Sequence, residues 1–179
     1  QVQFSIEGQD TLVDRDILEK LEGVLIQLLR NCVDHGIETP QDRIALGKPE
    51  QGRIRLSAQH YAGALVIELE DDGRGVDLSW LQRKIVSKKL VSQEMAKNLS
   101  QAELLEFLFL PGMSSRETVT EVSGRGVGLN IVQTKVREMQ GKVSLETVVG
   151  KKTCFYLQLP LTRSVMRALI VQIAGEGYD

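Results

Sequence analysis

The sequence predicts an α+β domain, and three observations carry that expectation. Two stretches, 53–69 and 142–159, alternate apolar and polar residues around a glycine-containing turn and read as β-hairpins. Ile17, Leu18, Leu21, Val24, Leu25, Leu28, Leu29, Cys32 and Val33 form a broad apolar stripe at helical spacing. Gly124-Arg125-Gly126-Val127-Gly128-Leu129-Asn130 opens a further helix, whose pattern runs through Ile131, Val132 and Val136 to Met139 and stops at Gly141.

At 179 residues the chain suits one well-packed domain, and 42% hydrophobic with 26% charged residues is ordinary globular composition. A net charge of −2 gives no basic excess, so nucleic acid is not expected as a partner. No apolar run reaches the length of a membrane span and no signal peptide is visible. Cys32 and Cys154 are too few for a zinc motif and read as small core residues rather than a disulfide. The chain begins at Gln1 without a Met and reads as a soluble, cytoplasmic fragment of something larger.

Taken in order, Val2, Phe4 and Ile6 predict a short strand closed by Gly8, and Asp14 is the expected cap of the helix that follows. On that helix Gln27, Asn31 and Asp34 fall near one face. The residues alone favour a solvated stripe there, although the Asn31 amide oxygen is a competent ligand for a divalent cation. Residues 38–51, with Pro40, Gly47 and Pro49, predict a polar loop with one helical turn. The first hairpin turns near Ala62-Gly63, and its second strand runs into Asp71-Asp72-Gly73-Arg74-Gly75. An Asp-Gly turn after a strand is usually punctuation, but a carboxylate beside two glycines can also accept a hydrogen bond from a ligand amine. Val76 to Leu110 predicts helical pieces broken near Val91-Ser92 and Asn98-Ser100, with Ser100 and Glu103 spaced as a capping box and Pro111 as the stop. Residues 111–123 are polar and read as a lid. The glycines after them allow close backbone approach, and the unpaired N–H groups of a helix start suit a phosphate. A dinucleotide fingerprint would need a strand before those glycines, where this chain has the polar run Ser114 to Ser123.

In this order, an Asn-bearing helix, a strand ending in Asp-x-Gly-x-Gly, a polar lid and a Gly-x-Gly-x-Gly helix entry resemble the Bergerat ATP-binding superfamily, which includes gyrase, chaperones, mismatch-repair ATPases and sensor histidine kinases. The strings LLRNCVDHGIETPQDRIALGKPEQGRI, DDGRGVD, FLPGMSS and VSGRGVGLNIV are similar, more narrowly, to the catalytic core of CheA-type chemotaxis histidine kinases. That resemblance implies a two-layer sandwich of a mixed β-sheet against helices, with residues 1–162 as the ATP-binding catalytic domain and 163–179 as a tail toward a coupling domain. It implies ATP and Mg²⁺ as ligands, and transfer of the γ-phosphoryl to a histidine on a separate phosphotransfer domain in two-component signalling. Receptor and coupling proteins and a response regulator are then partners of the full-length protein, and the chain itself is expected to be monomeric.

Carried over by position, Asn31 matches the asparagine that holds Mg²⁺ against the phosphates, and Arg30, Asp34 and His35 match residues on the phosphate side of the pocket. Asp71 matches the aspartate that accepts the adenine amino group, with Gly73 and Gly75 beside the base. Ser123, Gly124, Arg125, Gly126, Val127, Gly128 and Leu129 match the phosphate loop, and Thr153 the threonine at the adenine edge. Gln27, Asn31 and His35 are the implied catalytic positions. Two departures stand out. Gln27 occupies a position that is histidine in chemotaxis kinases and glutamate in many relatives, and Lys152 replaces the second glycine of the usual Gly-x-Gly-Thr. Lys152 is expected to narrow the base pocket or shift its turn, and both changes are expected to reduce activity. The rival readings are a pseudokinase that binds nucleotide and signals by docking, and an ATPase of the same fold that drives a clamp.

Overall fold

The computed structural model describes residues 2–113 and 128–161. Within them five strands form one mixed sheet: β1 (Val2–Glu7), β2 (Gly52–Tyr61), β3 (Ala64–Asp71), β4 (Lys142–Val148) and β5 (Lys152–Pro160), in the order β1-β2-β3-β5-β4. β1 and β2 are parallel, and every other pair is antiparallel. Both expected hairpins are present, the first turning through Ala62 and Gly63 at φ of 49° and 77°, the left-handed pair that a two-residue hairpin favours.

The helices begin where short polar side chains satisfy their first N–H groups. Asp14 caps α1 (Arg15–Asn31), Thr39 caps α2 (Pro40–Ala45), Asp77 caps α3 (Leu78–Ser87) and Ser92 caps α4 (Gln93–Asn98). The expected capping box opens α5 (Gln101–Glu106): the Ser100 hydroxyl accepts from the Glu103 N–H at 3.3 Å, and the Glu103 carboxylate accepts from the Ser100 N–H at 2.8 Å. A 3₁₀ turn over Phe107–Phe109 and the helix α6 (Leu129–Glu138) complete the layer. The expected lid from Ser114 onward, the phosphate-loop residues 123–127 and the tail beyond Leu161 lie outside the described residues.

Alternation along the strands separates two faces. Leu65, Ile67 and Leu69 of β3 and Phe155, Leu157 and Leu159 of β5 are buried with Leu21, Val24 and Leu28 of α1, Leu81 and Ile85 of α3, Leu104 and Leu105 of α5, and Val132 and Val136 of α6. The opposite face carries ion pairs across the strands: Arg55 meets Glu7 at 3.3 Å and both Glu68 and Glu70 at 3.8 Å, and Lys152 meets Glu70 at 2.6 Å. The two cysteines are buried and free, as expected.

α1 does not run on to Val33 as a regular helix. It passes at Asn31 into a π turn, Cys32–Gly36, closed by the Ile37 N–H donating to the Cys32 carbonyl at 2.8 Å. Such a turn takes up one residue more than a regular α-helical turn. Here it delivers Gly36 to the end of β3.

Candidate functional site

The site is built where α1, the end of β3 and the β4–β5 hairpin meet. β3 delivers Asp71, 1% exposed, to the helix-facing side of the sheet, and its register partner on β5 is the buried Thr153. The Asp71 carboxylate accepts the Gly73 N–H at 3.0 Å and the Cys32 thiol. Burial raises the Asp71 pKa to about 6, because desolvation outweighs both hydrogen bonds. Burial, and then the adjacent Asp71 charge, push the Cys32 thiol well above its ordinary value and keep it a protonated donor.

Glycine is required around this carboxylate for reasons of space. A Cβ on Gly36 would stand 2.8 Å from the Asp71 Oδ1, and a Cβ on Gly73 would collide with the Gly36 carbonyl. Gly75 has φ of 69° and faces the Val148 carbonyl, 2.7 Å from where a Cβ would lie. Gly75→Ala therefore adds left-handed strain of about 1–2 kcal/mol and forces the backbone apart. A lowered unfolding midpoint is the expected result, and an unchanged midpoint would contradict it.

The loop that follows Asp71 is tied on two sides. The Arg74 N–H donates to the Gly36 carbonyl at 2.9 Å, and the Arg74 carbonyl accepts from Gly150 at 2.7 Å. The Thr147 hydroxyl accepts the Val76 N–H and donates to the Lys152 carbonyl, both at 2.9 Å. Lys152 itself does not narrow this pocket: its ammonium turns to Glu70 on the other face of the sheet. Strand alternation explains the difference, since Thr153 and Lys152 must point to opposite faces.

Along the last turn of α1, Gln27 is 9% exposed, and Asn31 follows one turn later. The Asn31 amide nitrogen is buried without a hydrogen-bond partner among the described residues. An unpaired buried amide nitrogen is costly, and a hydrogen-bond acceptor brought to it would satisfy it. Arg30, Asp34 and His35 sit at the exposed rim, with His35 and Asp34 on the π turn. Gly128 is the cap residue of α6 and has no side chain to accept from that helix's first N–H groups. The structure thus brings Cys32, Gly36, Gly73 and Thr153 together around Asp71, with Asn31 directly before Cys32 in the chain.

Four participants were not singled out from the sequence. Cys32 and Gly36 depend on the π turn, for which no sequence signal is apparent, and Thr147 looked like any strand residue. The fourth is the charged segment 38–48, whose Glu38, Arg43 and Lys48 read as a solvated loop but are largely buried.

Residues 18–163 match the family model described as histidine kinase-, DNA gyrase B-, and HSP90-like ATPase. The chain is 41% identical over 178 residues to the gliding motility regulatory protein of Myxococcus xanthus, covering 99% of this chain and 23% of that protein. It is 35% identical over 178 residues to the chemotaxis protein CheA of Bacillus subtilis, covering 99% of this chain and 26% of the relative. With the sensor histidine kinase CheAY of Helicobacter pylori it shares 37% identity over 177 residues, 99% of this chain and 22% of that one. The chain therefore spans about a quarter of the length of these relatives. Among solved structures, the histidine kinase domain of a blue-light-activated kinase from Erythrobacter litoralis aligns with a TM-score of 0.52 at 14% identity, over 89% of this chain and 55% of that one. The catalytic domain of histidine kinase ThkA aligns at 0.51 and 19% identity, over 88% and 76%. Both carry the two-layer α+β fold described above.

Proposed function

Because this chain belongs to the family of histidine kinase-, DNA gyrase B- and HSP90-like ATPases, we propose that it is the ATP-binding catalytic core of a CheA-type histidine kinase, with residues 1–162 as the catalytic domain. The observation that carries this reading is the buried Asp71 carboxylate, held at a strand end by Gly73 and backed by the glycine-lined approach of Gly36 and Gly75. A buried acceptor with no cation against it among the described residues suits a neutral amine donor such as that of adenine.

In this reading Asp71 accepts the adenine amine, Thr153 borders the base, and Gly75 keeps the wall thin. Asn31 would hold Mg²⁺ through its amide oxygen, leaving the unpaired amide nitrogen to donate to a phosphate oxygen. When bound, Mg²⁺ neutralises charge on the phosphates and fixes their direction. Arg30, Asp34 and His35 line the phosphate side, and residues 123–129 supply backbone donors. A nitrogen of the acceptor histidine attacks the γ-phosphorus, the bond to the bridging oxygen breaks, and ADP leaves. The acceptor belongs to a histidine-containing phosphotransfer domain, and a response regulator and receptor-coupling proteins complete the pathway. In this reading Gln27 orients groups at the reacting end but cannot take a proton. Among the described residues no helix is long and apolar enough to cross a membrane; a cytoplasmic, monomeric chain goes with this reading.

The test uses this chain with Mg²⁺, radiolabelled ATP and the phosphotransfer domain of the same parent protein. Label on that domain's histidine is the expected result. Binding of ATP without transfer would favour the docking module, and release of phosphate with no acceptor present would favour a conformational ATPase.

A further inference from the structure

Segment 38–48 contains the most completely satisfied ionic network among the described residues. Arg43 is 0% exposed and uses all five guanidinium donors. Nε donates to the Pro49 carbonyl at 2.8 Å, one terminal nitrogen to Glu38 at 3.1 Å and the Asp72 carbonyl at 3.3 Å, and the other to the Asp72 carboxylate at 2.8 Å and the Gln51 carbonyl at 3.4 Å. Lys48 uses all three of its donors, to Glu38 at 2.7 Å, the Asp72 carbonyl at 3.0 Å and the Gly73 carbonyl at 2.8 Å. Burial opposes the charge on Glu38, but Lys48 and Arg43 outweigh it and hold that carboxyl below its ordinary range.

A buried ionic cluster is weak evidence for stability, since well-packed apolar residues often do as well. Its aim is more informative. Both cations converge on the backbone of Asp72-Gly73, the residues directly after Asp71. Gly73 joins the two systems: its carbonyl accepts from Lys48, and its N–H donates to the Asp71 Oδ1 at 3.0 Å.

We propose that Lys48 and Arg43, bridged by Glu38, are positioning residues for base recognition, fixing Asp72-Gly73 so that the Asp71 carboxylate keeps the orientation in which it reads the base. This inference rests on the reading of Asp71 as the adenine acceptor. Loosening the clamp lets Gly73 shift and Asp71 turn, while the phosphate side, built on α1 and α6, is untouched. The loss therefore falls on discrimination between bases rather than on nucleotide binding in general.

The experiment compares ATP with inosine triphosphate, whose base carries an oxo group where adenine has its amine. Dissociation constants for both are measured by calorimetry on this chain and on Lys48→Met and Lys48→Arg. Lys48 is the member to change because its side chain is 16% exposed, against 1% for Arg43. The ratio of the two constants does not depend on how much protein is folded, since both nucleotides meet the same folded population. Wild type should prefer ATP by about tenfold or more, the value of one buried hydrogen bond. Lys48→Met should shrink that preference by about three- to tenfold with inosine triphosphate affinity unchanged, and Lys48→Arg should restore most of it. An unchanged preference in Lys48→Met, or an equal loss for both nucleotides, overturns the inference. Should the methionine variant fail to fold, the same ratio in Lys48→Gln decides. No preference in wild type would sink the reading of Asp71 and this inference with it. Wild-type preference that survives Lys48→Met sinks the inference alone.

Discussion

Gln27→His is expected to raise the rate of phosphoryl transfer by about 10²–10⁴-fold, the usual contribution of a general base, with ATP affinity unchanged. Gln27 lies on α1 one turn before Asn31 and is 9% exposed, so a side chain there is largely shielded from solvent. Phosphoryl transfer to an imidazole leaves a proton to be removed, and glutamine, with no basic group, can only orient. Histidine at this position, as in the chemotaxis kinases, adds proton acceptance without altering the base pocket around Asp71. The measurement is the initial rate of labelling of the phosphotransfer domain, beside calorimetry for ATP. Equal rates would mean that positioning alone suffices at this residue, as it does for much of phosphoryl transfer. No transfer by either protein would remove the kinase reading.

The fold was legible because its signals are local. Alternation in 53–69 and 142–159 marks strands whatever they pack against, and Asp14, Ser92 and Ser100 mark helix starts through bonds spanning three residues or fewer. Asp71 and Asn31 were legible through their resemblance to a family pattern, since a carboxylate after a strand and an asparagine on a helix have commoner explanations. The remainder depends on contacts that no local pattern encodes. Arg43 meets Asp72 across 29 positions, and Thr147 meets Val76 across 71, so each looks like an ordinary loop or strand residue until the chain is folded. The π turn hides Gly36 in the same way: the helical stripe continues through Cys32 and Val33, and only tertiary contact with β3 shows why the helix widens there. Lys152 errs in the other direction. A pattern of glycines implies crowding where strand alternation in fact sends the lysine to Glu70, on the face opposite Thr153.

Asp71→Asn is expected to move binding and stability in opposite directions. An amide presents the adenine amine with an ambiguous partner, and losing a hydrogen bond to a charged acceptor costs roughly 1.5–3 kcal/mol, about tenfold to a hundredfold in ATP affinity. Stability responds through the raised carboxyl. Its pKa is about 6 in the fold against an ordinary 3.8, so between those values the folded chain holds a proton that the unfolded chain has released. Stability therefore falls as pH rises through this window, and above it the empty protein carries the full penalty, on the order of 2–3 kcal/mol. Asparagine is neutral, keeps an oxygen for the Gly73 N–H, and removes the penalty. At pH 7 the unfolding midpoint of the nucleotide-free variant should rise, by about 2–4 °C for each kcal/mol recovered, and its dependence on pH between 4 and 6 should flatten. In wild type the same proton competes with nucleotide, so ATP affinity should fall as pH drops below about 6. Scanning calorimetry and ATP titrations at pH 5 and pH 7 read all of these. A midpoint that falls in Asp71→Asn would show that the carboxylate is stabilised by more than its burial costs, and unchanged ATP affinity would take Asp71 out of the base pocket.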